Sequence, residues 1–201
     1  MTLQSVTQFS PSSRTVTRLP VVHQVAGVFT LTALTAIAAQ IHLPVPGTPV
    51  PMTLQTAVVP LAAIILGGGL GAVSMALYLT VALLGAPVMA HGHAGPQFVF
   101  GATGGYLFGY ILAQPLIARV LGTNANARKI SIHRLIAAIA VGYVTIFTLG
   151  VLWLMLRMNL SFSDAIAQGL TPFLVGDLIK AAIVLMIAQA ALPWAVRSGL
   201  R

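Results

Sequence analysis

The stretch TPFLVGDLIK at residues 171–180 begins the last apolar segment of the chain and carries an unusual pair of charges. The whole sequence has only two acidic residues, Asp164 and Asp177, and only two lysines, Lys129 and Lys180. Asp177 and Lys180 stand three positions apart, so they would share one face of an α-helix. In a membrane, a charge near the middle costs about 3 kcal/mol, and such residues usually mark a functional site. The stretch therefore predicts a helix with a buried ion pair.

Composition places the chain in a lipid bilayer. Of its 201 residues, 58% are hydrophobic and only 6% are charged, whereas soluble domains carry about 25% charged residues. The formal net charge is +8, but the basic residues lie between apolar segments, where orientation signals belong. We therefore expect no nucleic acid as a partner. The absence of cysteine excludes disulfides and thiolate chemistry.

Six apolar segments follow a polar N-terminal region. Residues 1–20 lack apolar periodicity, which predicts a flexible cytoplasmic tail. The first segment could instead be a signal peptide, because Ala36-Ile37-Ala38 resembles a cleavage site, but its length is that of a spanning helix. Residues 21–201 are predicted to form a single six-helix transmembrane domain. The segments lie at 21–41, 55–66, 71–84, 106–121, 135–158 and 172–196. Gly67, Gly68, Gly69 and Gly71 predict a tight turn between the second and the third segment.

The distribution of positive charge sets the predicted topology. Six spans with both termini in the cytoplasm leave only Arg157 in an outer loop, with Lys180 inside a span. Merging residues 55–84 into one span gives five helices and moves residues 119–134 outside, against the positive-inside rule. The basic residues on the cytoplasmic side of the six-span arrangement are Arg14, Arg18, Arg119, Arg128, Lys129, Arg134, Arg197 and Arg201.

The same topology brings the irregular segments to the outer side. They are the proline-rich loop 42–53, the glycine-rich loop 85–105 and the polar loop 157–168. The last helix enters from this side at Pro172, with Thr171 as a candidate N-cap, which places Asp177 and Lys180 in its outer half. Irregular backbone at membrane depth is tolerated where it is buried in protein or lines a cavity. We therefore expect a ligand pocket near the outer face.

The predicted pair offers a double hydrogen-bond acceptor, Asp177, beside a triple donor, Lys180. A neutral ligand with an N–H and a carbonyl, or an anionic ligand beside the lysine, would satisfy both. The alternative is that the two charges only neutralise each other to permit insertion. His91 and His93 suggest a metal site, but no cysteine, glutamate or nearby aspartate completes a ligand set, so we expect none.

The remaining motifs argue against catalysis. The string GATGGY at residues 101–106 is not a phosphate-binding loop, because no Gly-Lys-Ser/Thr follows it. Without glutamate, the chain has no Walker B residue and would not hydrolyse ATP by itself. Ser74 has no histidine at a suitable helical position, and Ser131 with His133 belongs to the basic connector. We expect that the protein is not an enzyme.

The first apolar segment carries small residues at a spacing of four, in the pairs Thr32/Ala36 and Thr35/Ala39. Such spacing permits close contact between helices in a membrane. Two interpretations stay open at this point, packing inside the chain and docking to a partner subunit.

Three motifs together resemble a known family. They are LPVPGTPVPMTLQT (43–56), LLGAPVMAHGHAGPQFVFGATGGYLFGY (83–110) and FLVGDLIKAA (173–182). The combination resembles the biotin-specific substrate-binding subunits, or S components, of energy-coupling-factor (ECF) transporters, the BioY family. The sequence departs from the family pattern at Met89, Ala102 and Val175, where Phe, Pro and Pro are usual. His91 and His93 also stand at positions that are often small or amide-bearing.

The resemblance implies a six-helix subunit of the bacterial inner membrane that captures biotin from outside. Biotin would be the transported substrate and no cofactor is implied, while a transmembrane coupling protein and two ATPase subunits would be partners. Asp177 would accept a ureido N–H, and Lys180 would donate to the ureido oxygen or to the carboxylate. An S component for another water-soluble vitamin, of the thiamin or riboflavin class, is the alternative. The other implied contacts are Thr53, Gln55, Met89, His91, Gly92, Gly95, Gly104, Gly105 and Tyr106.

Overall fold

Long apolar helices make up most of the structure, a computed structural model that describes residues 21–122, 130–198 and 200. The predicted helical class is confirmed, and the predicted tail at residues 1–20 lies outside the described residues. The helices are α1 (Val21–Gln40), α2 (Gln55–Leu83), α3 (Pro96–Val99), α4 (Gly104–Leu121), α5 (Ile132–Met158), α6 (Phe162–Gly169) and α7 (Leu174–Arg197).

Several helical stretches are long and apolar enough to cross a bilayer, as a multi-pass membrane protein requires. Within residues 21–122, 130–198 and 200 there are four by length and composition: Val21–Gln40, Gln55–Leu83, Ile132–Met158 and Phe162–Arg197. Two of these stretches are not continuous helices: Phe162–Arg197 comprises α6, a short turn and α7, and α2 is broken in its middle.

The chain doubles back in the middle of α2. Gly67 has φ 77° and ψ 173°, a conformation that no helix interior contains and that glycine adopts without strain. Beyond this break, a Cβ on Gly71 would lie 3.3 Å from the carbonyl carbon of Ala62. In a continuous helix, nine residues would separate the two positions by about 13 Å along the axis. The two halves of α2 therefore form a tight hairpin, as the predicted turn in this glycine-rich stretch requires.

A buried glutamine ties this hairpin to α4. The Gln114 side-chain nitrogen donates to the carbonyls of Val59 and Tyr110, at 3.1 and 2.8 Å. The Gln114 side-chain oxygen lies so near Gly71 that a Cβ added to this glycine would be 2.6 Å from that oxygen. Glycine leaves space for this contact, and the Gln114 side chain is completely buried where the hairpin packs on α4.

Glycines also allow α4 and α5 to pack closely as an antiparallel pair. A Cβ on Gly109 would lie 2.9 Å from the Cα of Ile146, and one on Gly142 would meet the Ile117 side chain at 2.7 Å. An added Cβ on Gly105 would overlap Trp153 and the Leu149 backbone. This small-residue interface brings the first turn of α4 to the last turns of α5.

Short elements gather at one end of the bundle. The strands β1 (His42–Leu43) and β2 (Met52–Thr53) pair antiparallel, with His42 opposite Thr53. The predicted polar loop 157–168 is wrong in part, because it contains the helix α6. Its amphipathic character was hidden by its short length, and its N-cap Ser161 accepts a hydrogen bond from the Asp164 amide at 3.2 Å.

The start of the last helix also differs from the prediction. Thr171–Phe173 forms a 3-10 turn and α7 begins at Leu174, so Pro172 lies outside the α-helix. The Thr171 hydroxyl does not cap α7. It donates instead to the Ile166 carbonyl at 3.2 Å, near the end of α6. The turn closes the connection between α6 and α7 and directs α7 back into the bundle.

The α4–α5 contact can be tested with two matched glycine substitutions. We expect Gly105→Ala to lower the free energy of unfolding by about 1–3 kcal/mol, because the new methyl group has no space against α5. Gly69→Ala is the control, since an added Cβ there meets nothing within 4 Å. It should be neutral or slightly stabilising. Thermal unfolding of the detergent-solubilised protein measures both, and equal effects would contradict the packing.

Candidate functional site

The buried charges of α7 form the floor of the candidate site. Lys180 Nζ lies 2.5 Å from Asp177 Oδ1, and the two side chains are only 10% and 7% exposed. The predicted pair is therefore present and shares one helix face. Burial of two charges is costly unless further polar groups satisfy them, and those groups come from the segment that enters α2.

Thr53 and Thr56 complete the hydrogen bonds of the pair. Lys180 Nζ donates to the Thr53 carbonyl at 2.8 Å and to the Thr56 hydroxyl at 2.9 Å. The Thr56 hydroxyl in turn donates to Asp177 Oδ1 at 2.7 Å. With the ion pair, all three donors of the ammonium group are engaged. The bonds to the carboxylate go to Oδ1, so Oδ2 retains acceptor capacity.

A narrow cavity of about 60 Å³ lies over this cluster. It has space for a few water molecules, each of which needs about 10–15 Å³. Six of the predicted site residues line it: Thr53, Gln55, Met89, Tyr106, Asp177 and Lys180. Ala90, beside the predicted Met89, also lines it. The lining residues that sequence reasoning missed are Val50, Pro51, Met52, Thr56, Tyr78, Thr103, Leu107, Tyr110, Phe147 and Phe173.

Aromatic side chains form much of the cavity wall. Tyr78 donates from its hydroxyl to the Val88 carbonyl at 3.2 Å, which joins α2 to the glycine-rich loop. Tyr106 donates to the Gly169 carbonyl at 2.6 Å and so fastens α4 to α6. Tyr110 stands four residues after Tyr106 on the same helix face, and this spacing is the signal that could have identified it.

A second cavity of about 450 Å³ adjoins the first and is called the vestibule here. The two share the lining residues Val50, Pro51, Met89, Ala90 and Thr103. The predicted residue His91 lines the vestibule rather than the inner cavity, together with His93. Across the described parts of the chain, no group of three or more His, Cys, Asp or Glu side chains could hold a metal ion.

The imidazoles at the vestibule lie side by side, with an edge-on contact between His42 and His91 and a tilted one between His91 and His93. The ring centroids of His42 and His91 are 3.9 Å apart, those of His91 and His93 are 5.6 Å apart, and His93 stacks on Phe98 at 3.9 Å. His91 has φ 60°, a left-handed conformation that few non-glycine residues adopt. Its partial desolvation and the neighbouring His42 and His93 lower the pKa of the His91 imidazole.

Four predicted glycine contacts lie outside both cavity linings. Gly92 and Gly95 have φ 68° and 91°, so they shape the loop around His91 by permitting turns. Gly104 and Gly105 face Trp153 on α5, where their lack of a side chain allows close packing. The sequence identified positions where only glycine fits, but it could not tell whether a ligand or a helix fills the adjacent space.

Of the four small residues predicted for partner docking, Thr32 and Thr35 contact this chain's own α2. Thr35 and Ala39 are completely buried, and the Thr32 hydroxyl lies 3.1 Å from the Ser74 hydroxyl. Ala36 is partly buried. In the isolated chain, the spacing of these small residues therefore corresponds to internal packing, one of the two interpretations. Docking of a partner at these residues stays a prediction.

The ion pair makes a prediction about stability. Lys180→Met should lower the free energy of unfolding by about 3–5 kcal/mol, because it leaves the Asp177 carboxylate buried without its counter-charge. Adding Asp177→Asn should restore part of that loss, since the unpaired charge is removed. Chemical denaturation in mixed micelles measures the free energy of unfolding of the wild-type protein, of Lys180→Met and of the double variant. Asp164→Asn in the Lys180→Met background is the matched control and should restore nothing; equal rescue by both changes would contradict the pairing.

Comparison with known proteins places these features in a family. A family model described as the BioY family matches residues 7–197. A biotin transporter BioY of Thermotoga maritima is 39% identical over 163 residues, which cover 81% of this chain and 90% of that protein. A probable biotin transporter BioY of Pyrococcus horikoshii is 34% identical over 157 residues, covering 78% and 88% of the two chains.

A solved structure agrees in fold. The crystal structure of the S-component for biotin from an ECF-type ABC transporter matches with a TM-score of 0.78 and 25% sequence identity. The match covers 85% of this chain and 90% of that one. The family indicated by the three sequence motifs is confirmed, and this chain belongs to the BioY family.

Proposed function

We propose that the chain is the membrane-embedded subunit that captures biotin for an ECF-type transporter. The observation that carries this proposal is the buried Asp177–Lys180–Thr56 cluster at the floor of a cavity, in a fold that matches a biotin S component. The curated relatives are named as biotin transporters, which favours biotin over thiamin or riboflavin and a transport role over an enzymatic one.

The polar groups of the cluster match the ureido ring of biotin, which offers two N–H donors and one carbonyl. Asp177 would accept one N–H at Oδ2, because the bonds within the cluster use Oδ1. Pro60 has no amide hydrogen to give to the Thr56 carbonyl four residues earlier, so the regular helical hydrogen bond is missing at that point of α2. Lys180 would donate to the ureido oxygen, in a lining that also holds the hydroxyls of Thr103 and Tyr110.

Lys180 can serve the ligand only by giving up a partner. Its three donors are engaged by Asp177, Thr53 and Thr56. The Thr53 carbonyl is the bond most readily exchanged, because Thr53 belongs to the two-residue strand β2 rather than to a helix. A vitamin of biotin's size also needs far more than 60 Å³. Binding would therefore move the loop 42–53 away from Lys180.

The remaining predicted residues would act around this core. Tyr106 and Met89 would contact the apolar part of biotin, and Gln55 would limit the depth of the pocket at the start of α2. Gly92 and Gly95 would shape the glycine-rich loop. Gly104 and Gly105 would position the first turn of α4 by its contact with Trp153.

The proposed topology has six spans: α1, the two halves of α2, α4, α5 and α7. The hairpin at Gly67 supports this count. Both termini and the tail 1–20 would lie in the cytoplasm, with residues 21–201 as one domain. The cavity end of the bundle would then face outward from the inner membrane. A coupling protein and ATPase subunits would supply the energy, docking through α1.

Cysteine labelling tests the topology directly, because the natural chain has no cysteine. In right-side-out vesicles, a membrane-impermeant maleimide should label Leu43→Cys and Ser163→Cys, while His133→Cys should react only after lysis. These positions are exposed in the structure. A topology with five spans would place residue 133 outside and residue 163 inside. Labelling of His133→Cys in intact vesicles, with Ser163→Cys labelled only after lysis, would therefore contradict the proposed arrangement.

Isothermal titration tests the ligand. The purified protein should bind biotin and neither thiamin nor riboflavin. Asp177→Asn should weaken biotin binding about 100-fold, because a charge-assisted hydrogen bond is lost. Asp164→Asn is the matched control, since Asp164 is exposed and contacts Ser161. Binding of another vitamin in place of biotin would overturn the specificity, and undiminished binding by Asp177→Asn would overturn the proposed site.

A further inference from the structure

The histidines of the vestibule form a cluster that the ureido chemistry does not use. His91 and His93 line the vestibule, and His42 packs on His91. His42 Nδ1 lies 3.0 Å from the Gln40 carbonyl, which can only accept, so Nδ1 carries the hydrogen. His42 is thereby held in one orientation beside His91. Three imidazole side chains thus meet at the opening of the proposed biotin pocket.

The charges around this cluster favour an anionic ligand group. Only two acidic residues exist in the chain. Asp177 is paired with Lys180 at the floor of the inner cavity, and Asp164 lies on α6, where Ser161 donates to it. Arg157 of α5 adds positive charge beside the loop by donating to the Phe100 carbonyl at 3.0 Å, although it is outside the vestibule lining.

Biotin has one anionic group, the carboxylate of its pentanoate chain, and this group is at the opposite end of the molecule from the ureido ring. We propose that His91 and His93 bind this carboxylate in the vestibule, while Asp177 and Lys180 bind the ureido ring in the inner cavity. The inference rests on the proposed function. It assigns Lys180 to the ureido oxygen, a choice that the sequence left open, and gives a role to the two histidines of the vestibule lining.

The proposal predicts how binding changes with pH. In the free protein, desolvation and the adjacent imidazoles lower the pKa of His91, which favours its neutral ring. A bound carboxylate favours the cationic ring and raises that pKa, so binding takes up a proton and becomes tighter as pH falls. An aliphatic carboxylic acid, with a pKa of about 4.3, stays mostly ionised at pH 5.5.

The experiment compares biotin with biotinamide, in which an uncharged amide replaces the carboxylate. Isothermal titration of the full-length protein should show biotin binding about tenfold tighter at pH 5.5 than at pH 8.0. Biotinamide affinity should change little between the two. H91Q/H93Q should abolish the pH dependence for biotin and leave biotinamide binding intact, which also shows that the variant is folded. H133Q, the same change on the exposed first turn of α5, is the control.

Each other outcome overturns the inference. If the affinities of biotin and biotinamide change equally between pH 5.5 and pH 8.0, the titrating group lies elsewhere. The same conclusion follows if the pH dependence of biotin affinity is unchanged in H91Q, in H93Q and in the double variant. If K180A removes the preference for biotin over biotinamide and H91Q/H93Q does not, Lys180 holds the carboxylate. Failure of the wild-type protein to bind either ligand would instead overturn the proposed function, on which this inference rests.

Discussion

The contact between Asp177 and Lys180 is the constraint on which the pocket end of the molecule depends. Two charges buried in a bundle that has few other polar groups require several hydrogen bonds to offset their desolvation. Those bonds come from Thr53, at the end of β2, and from Thr56, in the first turn of α2. The first turn of a helix also carries a partial positive charge, which favours the nearby carboxylate. The start of α2 is thus both the polar partner and the electrostatic complement of α7.

This arrangement explains why α2 folds back on itself. A continuous helix from Gln55 to Leu83 would carry the glycine-rich loop to the far end of the bundle, away from the ion pair. The turn at Gly67 returns the chain to the same end, where Met89 and the vestibule loop meet the start of α2. Gln114 holds the hairpin against α4 by the hydrogen bond from its side-chain nitrogen to the Val59 carbonyl. The scaffold therefore brings three separate segments to one cavity.

The sequence predicted the helical class, the hairpin turn and the ion pair, because charge and helix-breaking glycine are scarce and informative in an apolar chain. It did not identify Thr56, since a threonine in a helix ordinarily bonds its own backbone and gives no sign of a distant partner. The roles of Gly104 and Gly105 were also hidden, because a glycine is required equally by a ligand and by the Trp153 side chain. The helix α6 is too short for its periodicity to be recognised.

All three hydrogen-bond donors of Lys180 are already engaged, and under the proposed function this limits what the residue contributes to ligand affinity. A ligand that binds the ammonium group exchanges one hydrogen bond for another, so the polar contact by itself contributes little net free energy. It does supply specificity, because a ligand that displaces the Thr53 carbonyl without replacing its bond leaves a buried charge unsatisfied. The favourable free energy must then come from burial of the apolar rings against Tyr106 and Tyr110. Release of Thr53 frees the strand β2, so recognition of the correct ligand and movement of the loop 42–53 become a single event.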